Sequence, residues 1–312
     1  MTTKPVPQAV AALLTPCAMF LVLTIKPGRE AEKTVLEVLA DMSGLQRTVR
    51  FRNLHADFTC VTGIGSHAWD RLFPGKPRPK ELHPFIEMKG AKYTAPSTPG
   101  DLLFHIRASQ MYMCFEMAML IMDRLRAVTE TQDEVHGFKY FDDRDLLGFV
   151  DGTANPEGPY AVEATMIGEE DPEFVNGSYV IVQKYMHDLK TWNELPVEMQ
   201  EKIIGRKKLS NVELPDDEKP PYAHNVLNVV VKDGKQIDIL RDNMPFGEVG
   251  DAHFGTYYIG YAKSAATTEE MLHNMFIGKP VGNYDHILDF STAKTGCLFF
   301  VPTEDFLNNV KA

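Results

Sequence analysis

An apolar run of strand length, AMFLVLTI at 18–25, gives way within three residues to GREAEKTVLEVLADMSGL at 28–45. In that second segment Val35, Leu36, Val38, Leu39 and Met42 recur at helical spacing, so a buried strand is followed by an amphipathic helix. The same switch recurs along the whole chain, and it constrains the fold more than any other feature. Strand-like runs follow at TVRFRNL (48–54) and DFTCVTGIG (57–65), and HAWDRLF (67–73) starts a helix that Pro74 ends. After a proline-rich loop (74–99) come the strand DLLFHIRA (101–108), the long apolar helix QMYMCFEMAMLIMDRLRAV (110–128) and the closing stretch HGFKYFDDRDLLGFV (136–150).

The second half repeats this rhythm. SYVIVQKYMHDL (178–189) reads as a strand and LPVEMQEKIIG (195–205) as a short helix stopped by Gly205. HNVLNVVV (224–231), IDILRD (237–242) and GTYYIGYAKS (255–264) read as strands. TTEEMLHNMFIG (267–278) has a threonine cap, acids in its first turn and a terminal glycine, and GCLFFVP (296–302) closes the chain as a strand. Alternation within each half, with hairpin-like strand pairs between, predicts an α+β fold with the split βαβ unit used twice. The division is placed at 1–147 and 148–312. A dinucleotide fold fits poorly, because no G-x-G-x-x-G follows the first strand and the lone G-x-G at Gly63 and Gly65 reads as a turn.

A net charge of −11 argues against nucleic acid or an anionic membrane as the main partner. The acidic stretches EEDPE (169–173) and ELPDDEK (213–219) read as solvated loops. Cys17, Cys60, Cys114 and Cys297 are widely spaced and form no C-x-x-C or zinc pattern, which fits single thiols in a reducing compartment. The apolar stretch at 9–25 follows a single lysine, Lys4, lacks a twin arginine and is broken by Pro16. It reads as a loop ending at Pro16 and a buried strand from Cys17 to Ile25, so the expected location is the cytoplasm.

Three groups carry chemistry. In GFVDGTANP (148–156), Asp151 sits on a turn built from Gly148, Gly152, Asn155 and Pro156, directly after an apolar run. A histidine, His224, follows in YAHNVLNVV and an arginine, Arg241, in DILRDNMPFG. Taken alone, each has an ordinary reading: an Asx turn, one of ten histidines, a solvated arginine. Together they are a carboxylate, an imidazole and a guanidinium, the parts needed to bind haem iron and to break a peroxide O–O bond.

The stretch resembles the G-x-x-D-G motif of the dye-decolourising peroxidases, and the order Asp151, His224, Arg241 agrees with that family. The resemblance extends through SYVIVQKYMHDL, KPPYAHN, LRDNMPFG, MLHNMFIG and DHILDFSTAKTGCLFFVP, and it covers nearly all of 100–312. It implies two ferredoxin-like domains with antiparallel sheets and helices outside, the second domain carrying most of a haem pocket. It implies that His224 is the axial ligand of haem b, since no C-x-x-C-H is present for covalent attachment. Asp285 is the expected partner of the other imidazole nitrogen, with Asp289 as second choice. Asp151 and Arg241 fall on the opposite, peroxide-binding face, as acid–base group and fixed cation. Asn243 points into the same pocket, and Phe246 packs against the porphyrin or serves the core.

The implied activity is reduction of hydrogen peroxide through a ferryl state, with oxidation of dyes, phenols or similar one-electron donors. The alternative is a non-catalytic haem-binding or deferrochelatase-like protein, which would not need the polar pair Asp151 and Arg241. Trp192, Tyr185, Tyr257 and Tyr258 are candidates for relaying electrons, but residues of this kind are more often packing residues, and none is named as a site. A homo-oligomer is expected from the family. The end of the sequence at DFLNNVKA carries no evident long tail for targeting into a nanocompartment.

Overall fold

The computed structural model describes residues 5–311. The first half runs β1 (Cys17–Ile25), α1 (Arg29–Arg50), β2 (Thr59–Gly65), α2 (Ser66–Leu72), a small hairpin of β3 (Met88–Lys89) and β4 (Thr94–Ala95), β5 (Leu102–Ala108), α3 (Met111–Leu125) and β6 (Thr129–Phe138). The second half opens with α4 (Pro159–Thr165), β7 (Ser178–His187), α5 (Leu189–Asn193), α6 (Val197–Ile204) and α7 (His224–Leu227). Next come a separate hairpin of β8 (Val230–Lys232) and β9 (Lys235–Ile237), then β10 (Leu240–Arg241), β11 (Met244–Glu248) and β12 (His253–Ala262). The chain ends in α8 (Ala265–Phe276), β13 (Ser291–Ala293), β14 (Cys297–Val301) and α9 (Glu304–Asn308).

The strand order is β2-β5-β1-β6 in the first half and β10-β12-β7-β14 in the second, with antiparallel pairing throughout. Each half therefore has its second, third, first and fourth strands side by side, which is the ferredoxin-like arrangement used twice. A ladder between β14 and β2 (Phe299 opposite Gly65, Phe300 opposite Ile64) fuses the halves into one ten-stranded sheet. At the far ends β6 packs against β11. A Cβ added to Gly137 would lie 2.4 Å from that of Met244, so only glycine allows this approach. The sheet thus curls into a barrel.

Over most of the sheet both faces are buried, and side-chain alternation assigns each residue its face. On β1, Ala18, Phe20 and Val22 enter the barrel, where Val61, Leu103, Val180, Tyr257 and Phe299 meet them. Met19, Leu21 and Leu23 point outward onto Val35 and Leu39 of α1 and Met117 and Ile121 of α3. Each such large apolar side chain contributes roughly 1.5–3 kcal/mol on burial. Among the described residues no helix is long and apolar enough to cross a membrane.

Three local readings are corrected, and one strand carries no sequence signal. TVRFRNL is not a strand: α1 continues to Arg50, because Val49 extends the buried stripe of Val35, Val38 and Met42. HNVLNVVV begins as the short helix α7, where Asn228 Nδ2 donates to the His224 carbonyl at 2.8 Å and closes one turn before β8 starts. The helix read from Thr267 begins earlier. Ser264 stands at its cap with its hydroxyl committed to Glu81, Thr267 and Thr268 are buried, and the acids lie past the first turn. Finally, β6 was not foreseen, since TETQDEV is polar; it is a strand because it pairs with β1, with one face turned to solvent.

The barrel interior also holds charge. His105 is fully buried, stacks on Phe20 with centroids 4.8 Å apart and has Nδ1 2.8 Å from the Tyr261 hydroxyl. Burial, and then the nearby Arg107, hold its pKa well below the ordinary 6.5. The unfolded chain therefore binds more protons than the folded one below pH 6.5, and stability falls as the pH drops through that region. We expect thermal midpoints of the wild type to fall more steeply below pH 6.5 than those of His105→Gln, which retains a polar partner for Tyr261 but cannot titrate. Equal slopes would mean that His105 contributes nothing to the acid limb.

Candidate active site

The strands that fill the barrel on one face line a cavity on the other. On β12, Tyr257, Ile259 and Tyr261 point inward, while Thr256 and Tyr258 point out into the cavity beside Tyr185 and His187 of β7. Met271 and Met275 of α8 form the opposite wall, and Gln236 and Ile237 of the β8–β9 hairpin lie at its edge. With its open mouth counted, the cavity measures about 1440 Å³. Every residue lining it lies at or after Asp145.

His224 is presented by the single turn of α7, which begins just after Pro220 and Pro221. Its Nδ1 donates to Asp285 Oδ2 at 2.7 Å. Asp285 is fully buried and caps the turn at His286–Asp289, its Oδ1 accepting from the Ile287 backbone N–H at 3.0 Å. Among the described residues nothing bonds His224 Nε2, so that nitrogen is left to the cavity. Burial opposes a charge on His224, but the Asp285 carboxylate outweighs it by Coulombic attraction and hydrogen bonding, and the pKa lies above the ordinary value. Asp289 is elsewhere, accepting from the Tyr93 hydroxyl at 2.6 Å and the Tyr284 hydroxyl at 3.0 Å.

Across the cavity, Gly152 adopts φ 76°, which turns the corner sharply and lets its N–H donate to Asp151 Oδ1 at 2.7 Å. Asp151 Oδ2 accepts from Asn243 Nδ2 at 3.0 Å, and Asn243 Oδ1 accepts from the Ile259 N–H at 3.1 Å. Asn155 ties the corner to β10: its Nδ2 donates to the Arg241 carbonyl at 2.7 Å and its Oδ1 accepts the Arg241 N–H at 3.0 Å. Arg241 Nε is buried without a partner among the described residues. Asp151, Arg241 and Asn243 also line a smaller pocket, with Leu14, Tyr140 and Pro245, on the other side.

The structure thus brings together five of the six residues named from the sequence. Phe246 is the exception: it lies in the barrel interior with Lys184 Nζ 5.2 Å above its ring, because β11 directs it inward, and it does not line the cavity. Further polar residues, not foreseen, line the cavity, among them Asp145, His187 and Arg206. Asp145 has its carboxyl pushed up to about 7, chiefly by burial and then by Asp151. His187 is held down to about 4 by burial, between the hydroxyls of Ser291 and Thr256 at 2.8 and 2.9 Å. Arg206 lines the cavity just past the end of α6, its guanidinium donating to the Asn211 carbonyl at 2.9 Å and to Glu213 at 3.2 Å. Of these, only Asp145 had a sequence signal, its place six residues before Asp151 on the same glycine-rich corner.

Residues 7–139 match the family model for the N-terminal domain of Dyp-type peroxidases, and residues 142–306 match that for the C-terminal domain. This chain belongs to the Dyp-type peroxidase family. A dye-decolorizing peroxidase of Rhodococcus erythropolis is 59% identical over 310 residues, covering 99% of this chain and 90% of the relative. The encapsulated DyP-type peroxidase of Mycobacterium smegmatis superposes with a TM-score of 0.96 at 56% identity, over 99% of each chain. A DypB variant from Rhodococcus jostii RHA1, solved in complex with heme, does so with a TM-score of 0.96 at 51% identity, over 98% of this chain and 99% of its own.

The double hydrogen bond from Asn155 has a measurable consequence. Asn155→Ala leaves the Arg241 N–H and C=O without those partners, and we expect a loss of about 1–3 kcal/mol in denaturant titration. Asn155→Asp keeps the acceptor and should lose less. An unchanged midpoint for the alanine variant would refute the tie.

Proposed function

We propose that this protein is a haem-dependent peroxidase that reduces hydrogen peroxide and oxidises dyes, phenols or similar one-electron donors. The observation that carries the reading is one imidazole nitrogen offered to a large cavity opposite a carboxylate, an amide and an unpartnered guanidinium. The residues fit haem b. His224 Nε2 would hold the iron, Arg206, which lines the cavity, is a cation that could meet a propionate, and the Met271 and Met275 side chains offer an apolar wall. When bound, haem would supply the iron at which the peroxide bond breaks and the oxidising power that then draws electrons one at a time from the donor.

The protein's own groups do the rest. Asp285 holds the Nδ1 proton of His224, which fixes the ring and makes it a stronger donor. Asp151 takes the proton from one peroxide oxygen and returns it to the other, the general acid–base step that heterolysis requires. Asn243 holds the Asp151 carboxylate in place through its amide. Arg241 places a fixed positive charge where negative charge develops on the departing oxygen.

A haem carrier would need the His224 side alone, and the polar set opposite it favours the peroxidase. In this reading residues 148–312 carry most of the haem pocket, with Asp145 and Leu147 extending it just across the boundary from 1–147. The reading includes a cytoplasmic location and self-association. Tyr112, Phe115 and Met119, exposed along one side of α3, support self-association.

We expect His224→Ala to lose haem or its fixed axial ligation, seen as a shifted or absent Soret band; full occupancy with an unchanged spectrum would overturn the ligand assignment. Asp151→Asn and Arg241→Leu should keep haem but react with peroxide more slowly, by about 10²–10⁴-fold for the first and 10²–10³-fold for the second. Stopped-flow mixing of each loaded variant with peroxide measures this, and wild-type rates in both would remove them from the mechanism.

A further inference from the structure

No residue of β1–β6 lines the cavity, yet one of them reaches the segment from β10 to β11 that bears Arg241 and Asn243. Between those two residues lies Asp242. Alternation sends it to the opposite face, into the barrel, where it is 1% exposed. There its Oδ2 accepts from Arg107 Nη1 of β5 at 2.8 Å, and Arg107 is itself 0% exposed. The other arginine nitrogens are also committed, Nε to Thr59 Oγ1 at 3.2 Å and Nη2 to the Ala9 carbonyl. Asp242 Oδ1 has no partner among the described residues, and His105 Nε2 stands 3.7 Å from Oδ2, so Arg107 makes the one direct hydrogen bond this carboxylate receives.

A buried ion pair is a costly device where only stability is at stake, because apolar residues of similar size do as well or better. What a charged pair adds is direction. The guanidinium is fixed by β2, β5 and the segment before β1, and it fixes one carboxylate position. The backbone on either side of Asp242 bears the two groups that face the cavity. The Asp242 N–H donates to the Ile259 carbonyl at 3.1 Å, and Asn243 Oδ1 accepts from the N–H of the same residue, so a shift of Asp242 moves Asn243 against Asp151.

We propose that Arg107 and Asp242 are positioning residues for the peroxide-cleaving groups. The strands β1–β6, through the barrel, set where Arg241 and Asn243 stand in a cavity that these strands do not line. This rests on the peroxidase reading, in which Arg241 and Asn243 act on peroxide. Neither Arg107 nor Asp242 meets substrate.

The test uses the full-length, haem-loaded protein with Arg107→Met, Arg107→Lys and Asp242→Asn. For each, three quantities are measured: the rate constant of the Soret change on mixing with peroxide, the rate of its recovery with a phenol, and the dissociation constant of fluoride from the ferric protein. Fluoride is the chosen probe because a small anion bound on the Asp151 side of the cavity would accept a hydrogen bond from Arg241, whose Nε is buried without a partner among the described residues. We expect Arg107→Met and Asp242→Asn to slow the peroxide step at least tenfold and to weaken fluoride severalfold. The recovery rate should hold, and Arg107→Lys should fall between these variants and the wild type. A purely structural role predicts lower thermal midpoints with unchanged constants in the folded, loaded fraction, and that result overturns the proposal. If Arg107→Met does not fold, unchanged constants in Arg107→Lys and Asp242→Asn overturn it equally. A wild-type protein whose Soret band ignores peroxide fails the peroxidase reading itself, and fluoride affinity then still decides whether Arg107 positions Arg241.

Discussion

A sheet closed into a barrel and buried over most of both its faces is the condition from which the rest of this molecule follows. Most strands must satisfy two environments at once, and their successive side chains are assigned alternately to the barrel interior and to the outer layer, with β6 turning its outer face to solvent. On β12 this rule separates Tyr257 and Tyr261, which fill the barrel, from Thr256 and Tyr258, which face the cavity. At Arg241-Asp242-Asn243 the same rule separates chemistry from anchorage within three residues. The site is one place where the outer face is covered by a cavity instead of by helix.

The cavity has two unlike walls because its polar groups are held by different means. His224 is fixed by a charged hydrogen bond to a fully buried carboxylate, an arrangement that resists rotation of the ring. Asp151 is held by a backbone N–H and by an amide that is itself bonded to β12. Arg241 has no partner for its Nε and depends on its backbone for placement, through Asn155 on one side and the barrel on the other. One wall is held rigid by direct pairing, and the other leaves its charge available to whatever enters.

Much of this was legible in the sequence where a local rule and the tertiary need agreed. The strand from Cys17 to Ile25, the helix ended by Gly205 and the corner at Asp151 obey propensity and packing alike. The readings failed where the partner strand or helix decided. Val49 belongs to a helix because α1 runs on over the sheet, and TETQDEV is a strand only because β1 lies beside it. Phe246 could not be placed, since one residue of register decides between barrel and cavity. His187 and Arg206 gave no signal because ordinary residues become site residues only when distant segments converge. The link from Asp285 to His224 spans 61 positions and was reached through family resemblance, not spacing.

The two junctions between the halves are built differently. At β14 and β2 the ladder is continuous, whereas β6 and β11 meet by packing around Gly137. The strands at the bonded junction, CLFFV and TCVTGIG, are apolar and almost wholly buried. Cut apart, each half would present one of them as an open, uncharged edge, the kind of surface on which chains add to one another without limit. Joining both halves in one polypeptide gives each of these edges a partner at matched stoichiometry from the moment of synthesis. Covalent linkage here is a safeguard against aggregation as well as a way of building a site.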